Sequence, residues 1–113
     1  MQSYQLHIHI KDNIEIQIGK LGKFTFPMGN YIYTGSANKN IDARIERHKS
    51  KDKKVHWHID FLLNNKNARI TEVQKFDEEE CILNQKATGE IIVAGFGSSD
   101  CKNKCKSHLK YLG

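Results

Sequence analysis

The chain has 113 residues, 38% hydrophobic and 27% charged, with one Pro and eight Gly, a length at which a single folded domain buries roughly 60–70% of the surface its unfolded chain exposes. No run approaches the 18 or more apolar residues of a membrane span, and the opening MQSYQLHIHIKDN lacks the charged-then-apolar pattern of an export leader. The expectation is therefore one domain, residues 1–113, in the cytoplasm and without a membrane partner.

Eighteen Lys and Arg against thirteen Asp and Glu leave a net charge of +5, densest in RIERHKSKDKK and CKNKCKSHLK. A polyanion is the natural partner of such a surface, although a Lys-rich surface also serves solubility, and charge alone does not choose between them. Three cysteines, Cys81, Cys101 and Cys105, are an odd number in a chain with no export signal, which argues against a disulfide framework.

In chain order, Tyr4, Leu6, Ile8 and Ile10 alternate with Gln5, His7 and His9, the period of a half-buried strand over 4–10. KDN turns the chain. Ile14, Ile16 and Ile18 start a second alternation, GKLGK connects, and FTF is a short strand stopped by Pro27 and Gly29, so residues 13–26 read as a hairpin. NYIYTG is the next strand, ending in a Gly35-Ser36 turn. Asn40 then caps a helix over 41–50 that has Asp42 in its first turn, basic residues at its end, and Ile41 and Ile45 facing inward.

HWHIDFLLNN spaces Trp57, Phe61 and Leu62 as a helix does, over 55–64. ARITEVQKF reads as a strand, DEEECILNQKA as an acid-started helix, GEIIVAGFG as a strand ending in glycines, and the cysteine-bearing remainder as a short tail. Strands and helices mix without a regular βαβ alternation, so the class is α+β.

The residues around Gly35 could do chemistry. Arg44 and His48 are four apart, which on a helix places them on one face about 5–6 Å apart at Cβ. Tyr31 and Tyr33 share one side of a strand, and Gly35 lets a backbone approach closely. Phosphodiester hydrolysis needs a base, positive charge on the developing phosphorane and help for the leaving oxygen, which a phenol, a guanidinium and a carboxylate-held divalent metal supply. Against this stands the plain reading of Tyr33 as a core residue and Arg44 as a solvated one.

His56 and His58 lie two apart, poor metal spacing on a helix, and Asp60 is four from His56; capping with core packing and a substrate-facing role both stay open for this group. Cys81, Cys101, Cys105 and His108 could assemble a structural Zn2+ site, but Cys-x3-Cys-x2-His is tighter than the usual zinc knuckle, which leaves buried thiols as the expected state.

The blocks GNYIYTGSA, ARIERH, HWHIDFLL, EC, GFGSSDC and SHLKY resemble, over nearly the whole chain, the GIY-YIG nuclease superfamily and in particular its small Uri-type stand-alone endonuclease-like domains, the domain of unknown function 123. The resemblance implies a small mixed, chiefly antiparallel sheet flanked by helices, here with an extra N-terminal β-hairpin, and a metal-dependent endonuclease acting on DNA in repair or processing. It makes Tyr33, Arg44 and His48 catalytic, with Tyr4 as the tyrosine of the first signature half, although Ser3 stands where that half has glycine.

Glu80, in register beside Cys81, becomes the ligand of Mg2+ or Mn2+, and Gly35, Ser36, Lys39, Arg47 and His58 the substrate contacts. DNA is the implied partner, with a repair glycosylase or a second copy of the chain beside it. The rival implication is a catalytically inactive nucleic-acid-binding module of the same fold.

Overall fold

The computed structural model describes residues 3–37, 39–51, 53–97 and 106–113. Its central element is β1 (Ser3–Ile10), which pairs on one side with β4 (Gly29–Ser36) and on the other with β5 (Ala68–Phe76). A three-residue β6 (Leu109–Tyr111) extends the sheet beyond β4, giving the order β5-β1-β4-β6, and each of these pairings is antiparallel. The hairpin read at 13–26 is present as β2 (Ile14–Ile18) and β3 (Gly22–Phe26), a separate two-stranded sheet joined by a 3-10 turn.

The period-2 pattern of β1 puts Tyr4, Leu6, Ile8 and Ile10 into the core. There they meet Tyr31 and Tyr33 of β4, Ile18 and Phe26 of the hairpin, and Ile59, Leu62 and Leu63 of a helix. The opposite face of β1 and β4 is buried as well at Ser3, Gln5 and Thr34.

Helix α1 (Ile41–Lys49) starts at Asn40, whose φ of 46° is left-handed and whose side chain accepts the Ala43 N–H at 3.1 Å. Helix α2 (His58–Leu63) is shorter than the expected 55–64. Asp60 accepts the backbone N–H groups of His56 at 2.8 Å and of the N-cap Trp57 at 2.9 Å, which ties the chain just before the helix to its first turn and holds Trp57 extended, at φ −120°. Helix α3 (Glu80–Lys86) begins three residues after Asp77, with Glu79 as its cap, and packs against β4 and β1.

Two further expectations are corrected. Gly35 and Ser36 do not form a turn, because they continue β4 to its end. GEIIVAGFG is not a strand. Only Glu90 bridges, to Tyr111, while Gly95 at φ 84° and Gly97 at φ 67° fold the segment into turns that bury Val93 and Phe96; the strand beside β4 comes instead from the expected tail, as β6. Among the described residues no helix is long and apolar enough to cross a membrane.

Candidate active site

A cleft of about 210 Å3 opens where the start of β1 meets the end of β4, lined by Tyr4, Tyr33, Gly35, Ser36, Arg44, His48, Trp57, Glu80 and Gly97. Tyr4 and Gly35 are register partners across the ladder, and the phenol ring lies over the glycine. A Cβ at Gly35 would sit 2.6 Å from Tyr4 Oη and 2.7 Å from Cζ. Gly35 is not among the glycines with positive φ, so space for the ring, rather than backbone freedom, demands glycine here.

From that position Tyr4 Oη reaches His48 Nε2 at 2.7 Å. Tyr33 and Trp57 stand around the imidazole at ring separations of 6.2 and 5.9 Å. Burial pushes the phenols of Tyr4 and Tyr33 well above the ordinary tyrosine range. Burial, aided by the cations Lys53, Arg47 and Arg44 against the opposing pull of Asp60, lowers His48 to about 4. At neutral pH the pair is an uncharged phenol hydrogen-bonded to an uncharged imidazole, and His48 Nδ1 has no hydrogen-bond partner among the described residues.

Arg44 is held on two sides: its Nη1 donates to the Ser36 carbonyl, and its guanidinium lies 4.7 Å from the centre of the Trp57 ring. Arg47 lies at the same distance from that ring. Arg47 itself is engaged, because it pairs bidentately with the fully buried Asp60 at 3.0 and 3.1 Å and donates to the Lys54 carbonyl. Burial alone would raise the Asp60 carboxyl, but the Arg47 bond and the two backbone N–H groups outweigh it and hold the group below the usual range. Asp60 thus caps α2 and binds Arg47, while the His56 imidazole plays no part in the pair.

Glu80, the first residue of α3, brings the only carboxylate among the described residues to the cleft wall. One of its oxygens is 3.8 Å from His108 Nδ1, which donates to the Thr34 carbonyl at 3.2 Å. Glu80, Cys81 and His108 place ligand-type atoms within 4.8 Å of one another. Cys81, however, is disulfide-bonded, contrary to the expected thiol, and a sulfur so engaged supplies no thiolate. Cys101 and Cys105, the other cysteines of the zinc reading, lie outside the described residues.

The cleft therefore gathers Tyr4, Tyr33, Gly35, Ser36, Arg44, His48 and Glu80 from the sequence reading. Lys39 is exposed before α1, and His58 turns its Nδ1 to the Gly97 N–H at 2.9 Å, so neither lines it. Sequence reasoning missed Trp57, read only as a residue at helical spacing, and Gly97, read as a strand end. The signal for Trp57 was its place as the one tryptophan of a chain with an Arg pair three apart. For Gly97 it was the Gly-x-Gly spacing, which favours turns.

No curated protein and no solved structure matches the chain. The family model described as Domain of unknown function DUF123 matches residues 3–113, and the chain belongs to that family.

Proposed function

We propose that this protein is a divalent-metal-dependent endonuclease that hydrolyses phosphodiester bonds of DNA, as the resemblance to GIY-YIG enzymes implies. The observation that carries the reading is the convergence on one cleft of a hydrogen-bonded Tyr4–His48 pair, the Arg44 guanidinium and the Glu80 carboxylate, which come from three different elements, β1, α1 and α3.

The donor set fits Mg2+ or Mn2+. One carboxylate on an open wall suits an ion that keeps most of its water and takes the rest of its ligands from substrate phosphate. Glu80 would hold it, and once bound it would withdraw charge from the phosphate and the leaving oxygen.

The remaining chemistry belongs to the chain. Arg44, held by Ser36 and Trp57 beside Tyr4, presents its guanidinium to the phosphate oxygens. Tyr4 takes a proton from the attacking water as it passes its own to His48 Nε2. An anionic phosphate in the cleft favours the imidazolium that results, which offsets the burial that keeps His48 neutral at rest. Tyr33 and Trp57 wall the pair from solvent.

The test is cleavage of linear, branched and single-stranded DNA with Mg2+, Mn2+ or EDTA, for the wild type and for Arg44→Ala and Glu80→Ala. The proposal expects metal-dependent cutting that both substitutions abolish. Binding without cutting under either metal would replace it with the inactive nucleic-acid-binding module.

A further inference from the structure

At the far end of β1 from the cleft, His9, Lys11, Lys66, Asn67 and Arg69 line a pocket of about 380 Å3, with no carboxylate in its lining among the described residues. Its position is set by backbone. His9 and Arg69 are register partners, and the Lys11 N–H donates to the Asn67 carbonyl at 3.0 Å. The connecting loop is closed by Ala68 N–H on the Asn65 carbonyl at 3.1 Å and by Asn67 N–H on Asn65 Oδ1 at 2.8 Å.

Several cations elsewhere are paired with carboxylates: Arg47 with Asp60, Lys75 with Asp42, Lys86 with Glu78, Lys23 with Glu15. The side chains of Lys11, Lys66 and Arg69 have no such partner among the described residues. Three like charges gathered on a fixed frame repel one another, and a polyanion relieves that repulsion. A neighbouring recess shares Arg69 with this pocket and His48 with the cleft, so basic surface adjoins both sites.

We propose that Lys11, Lys66 and Arg69 form an anchor for the phosphate backbone of a nucleic acid whose reacting phosphate lies in the cleft, an inference that rests on the nucleic-acid reading of that cleft. Tyr4 and Lys11 are seven positions apart along β1 and the residue after it, about 23 Å at the usual rise. At 3.4 Å per base pair that span is about seven base pairs. The alternation that turns Tyr4 inward turns His9 and its partner Arg69 to the other face, so the nucleic acid passes the β5 edge. The anchor grips one arm of the substrate and requires that arm to extend about that far from the scissile bond.

The experiment is fluorescence anisotropy of a labelled twenty-base-pair duplex and of a hairpin with a four-base-pair stem, between 50 and 200 mM salt. Three proteins are compared: the wild type, a Lys11→Gln, Lys66→Gln, Arg69→Gln variant, and a control with the same charge loss elsewhere, Lys20→Gln, Lys23→Gln, Lys86→Gln. The anchor variant is expected to bind the long duplex at least about tenfold more weakly near 0.1 M salt, with a log–log salt slope shallower by about 3. It should bind the hairpin as the wild type does, and the control should resemble the wild type on both. Thermal melts confirm that each variant is folded.

Equal slopes for all three proteins, or equal losses for both triple variants, would overturn the anchor while leaving the nuclease reading to its own cleavage test. A wild type that binds the duplex with the expected dependence but never cuts would keep the anchor and remove the nuclease. A wild type with no affinity for either DNA at 50 mM salt would overturn both.

Discussion

Gly35→Ala tests the architecture of the cleft directly. The new methyl would stand 2.6 Å from Tyr4 Oη and 3.0 Å from Cε2, so the ring must retreat by about 0.8 Å to reach an ordinary van der Waals contact near 3.4 Å. Tyr4 is only 2% exposed and its hydroxyl is bonded to His48 at 2.7 Å, so a retreat of the ring disturbs its packing and stretches that bond. Overpacking of this kind costs about 1–3 kcal/mol, and loss of the hydrogen bond adds about 0.5–1.5 kcal/mol. The expected destabilisation is about 2–4 kcal/mol, out of the 5–15 kcal/mol typical of a domain, or roughly 8–16 °C in Tm at about 4 °C per kcal/mol.

Urea unfolding followed by the fluorescence of Trp57 measures it. In a Tyr4→Ala background the same glycine substitution has nothing to strike, so its cost should fall below about 0.5 kcal/mol, a coupling that a double-mutant cycle isolates. An equal cost in both backgrounds would refute the account, because the strain would then lie in the backbone or elsewhere in β4.

Acid should act through His48, since burial lowers it in the folded state from 6.5 to about 4. The unfolded chain binds more protons between those values, so stability is full above about pH 6.5 and falls by an amount on the order of 3 kcal/mol as pH drops to about 4. His108, also lowered by burial, adds to the same trend. Denaturation curves for His48→Gln should be flatter over this window, and an unchanged pH slope would show that His48 does not titrate as described. Asp60→Ala removes the partner of Arg47 and two backbone acceptor contacts from a fully buried site, with an expected loss of about 3–5 kcal/mol; a loss under 1 kcal/mol in urea would show that water replaces the carboxylate. Trp57, the only tryptophan, lines the cleft between two guanidinium groups, so its emission should change when an oligonucleotide binds, and a bound complex with unaltered emission would place the ligand elsewhere.

Much of this fold was legible before any coordinates. The alternation in YQLHIHI, the hairpin isoleucines and the Asn40 cap report local geometry, and local geometry is what period and capping chemistry encode. The reading failed at GEIIVAGFG, whose apolar run suits a strand but whose Gly95 and Gly97 adopt positive φ, and at the tail, where SHLKY became the edge strand. A short apolar run does not declare whether a ladder partner is available.

The candidate site divides in the same way. Arg44 and His48 share a helix face because of their spacing, and that much the residues determined by themselves. That Tyr4 lies over Gly35 and reaches His48, forty-four positions away, was decided only by the antiparallel register of β1 against β4 and the packing of α1 above them. The same holds for Arg47: the resemblance makes it a substrate contact, and only the fold buries Asp60 beside it and turns it into a support for Trp57. Side-chain type and spacing act over one turn or one strand, whereas the distances that make a cleft depend on which distant segments the core draws together.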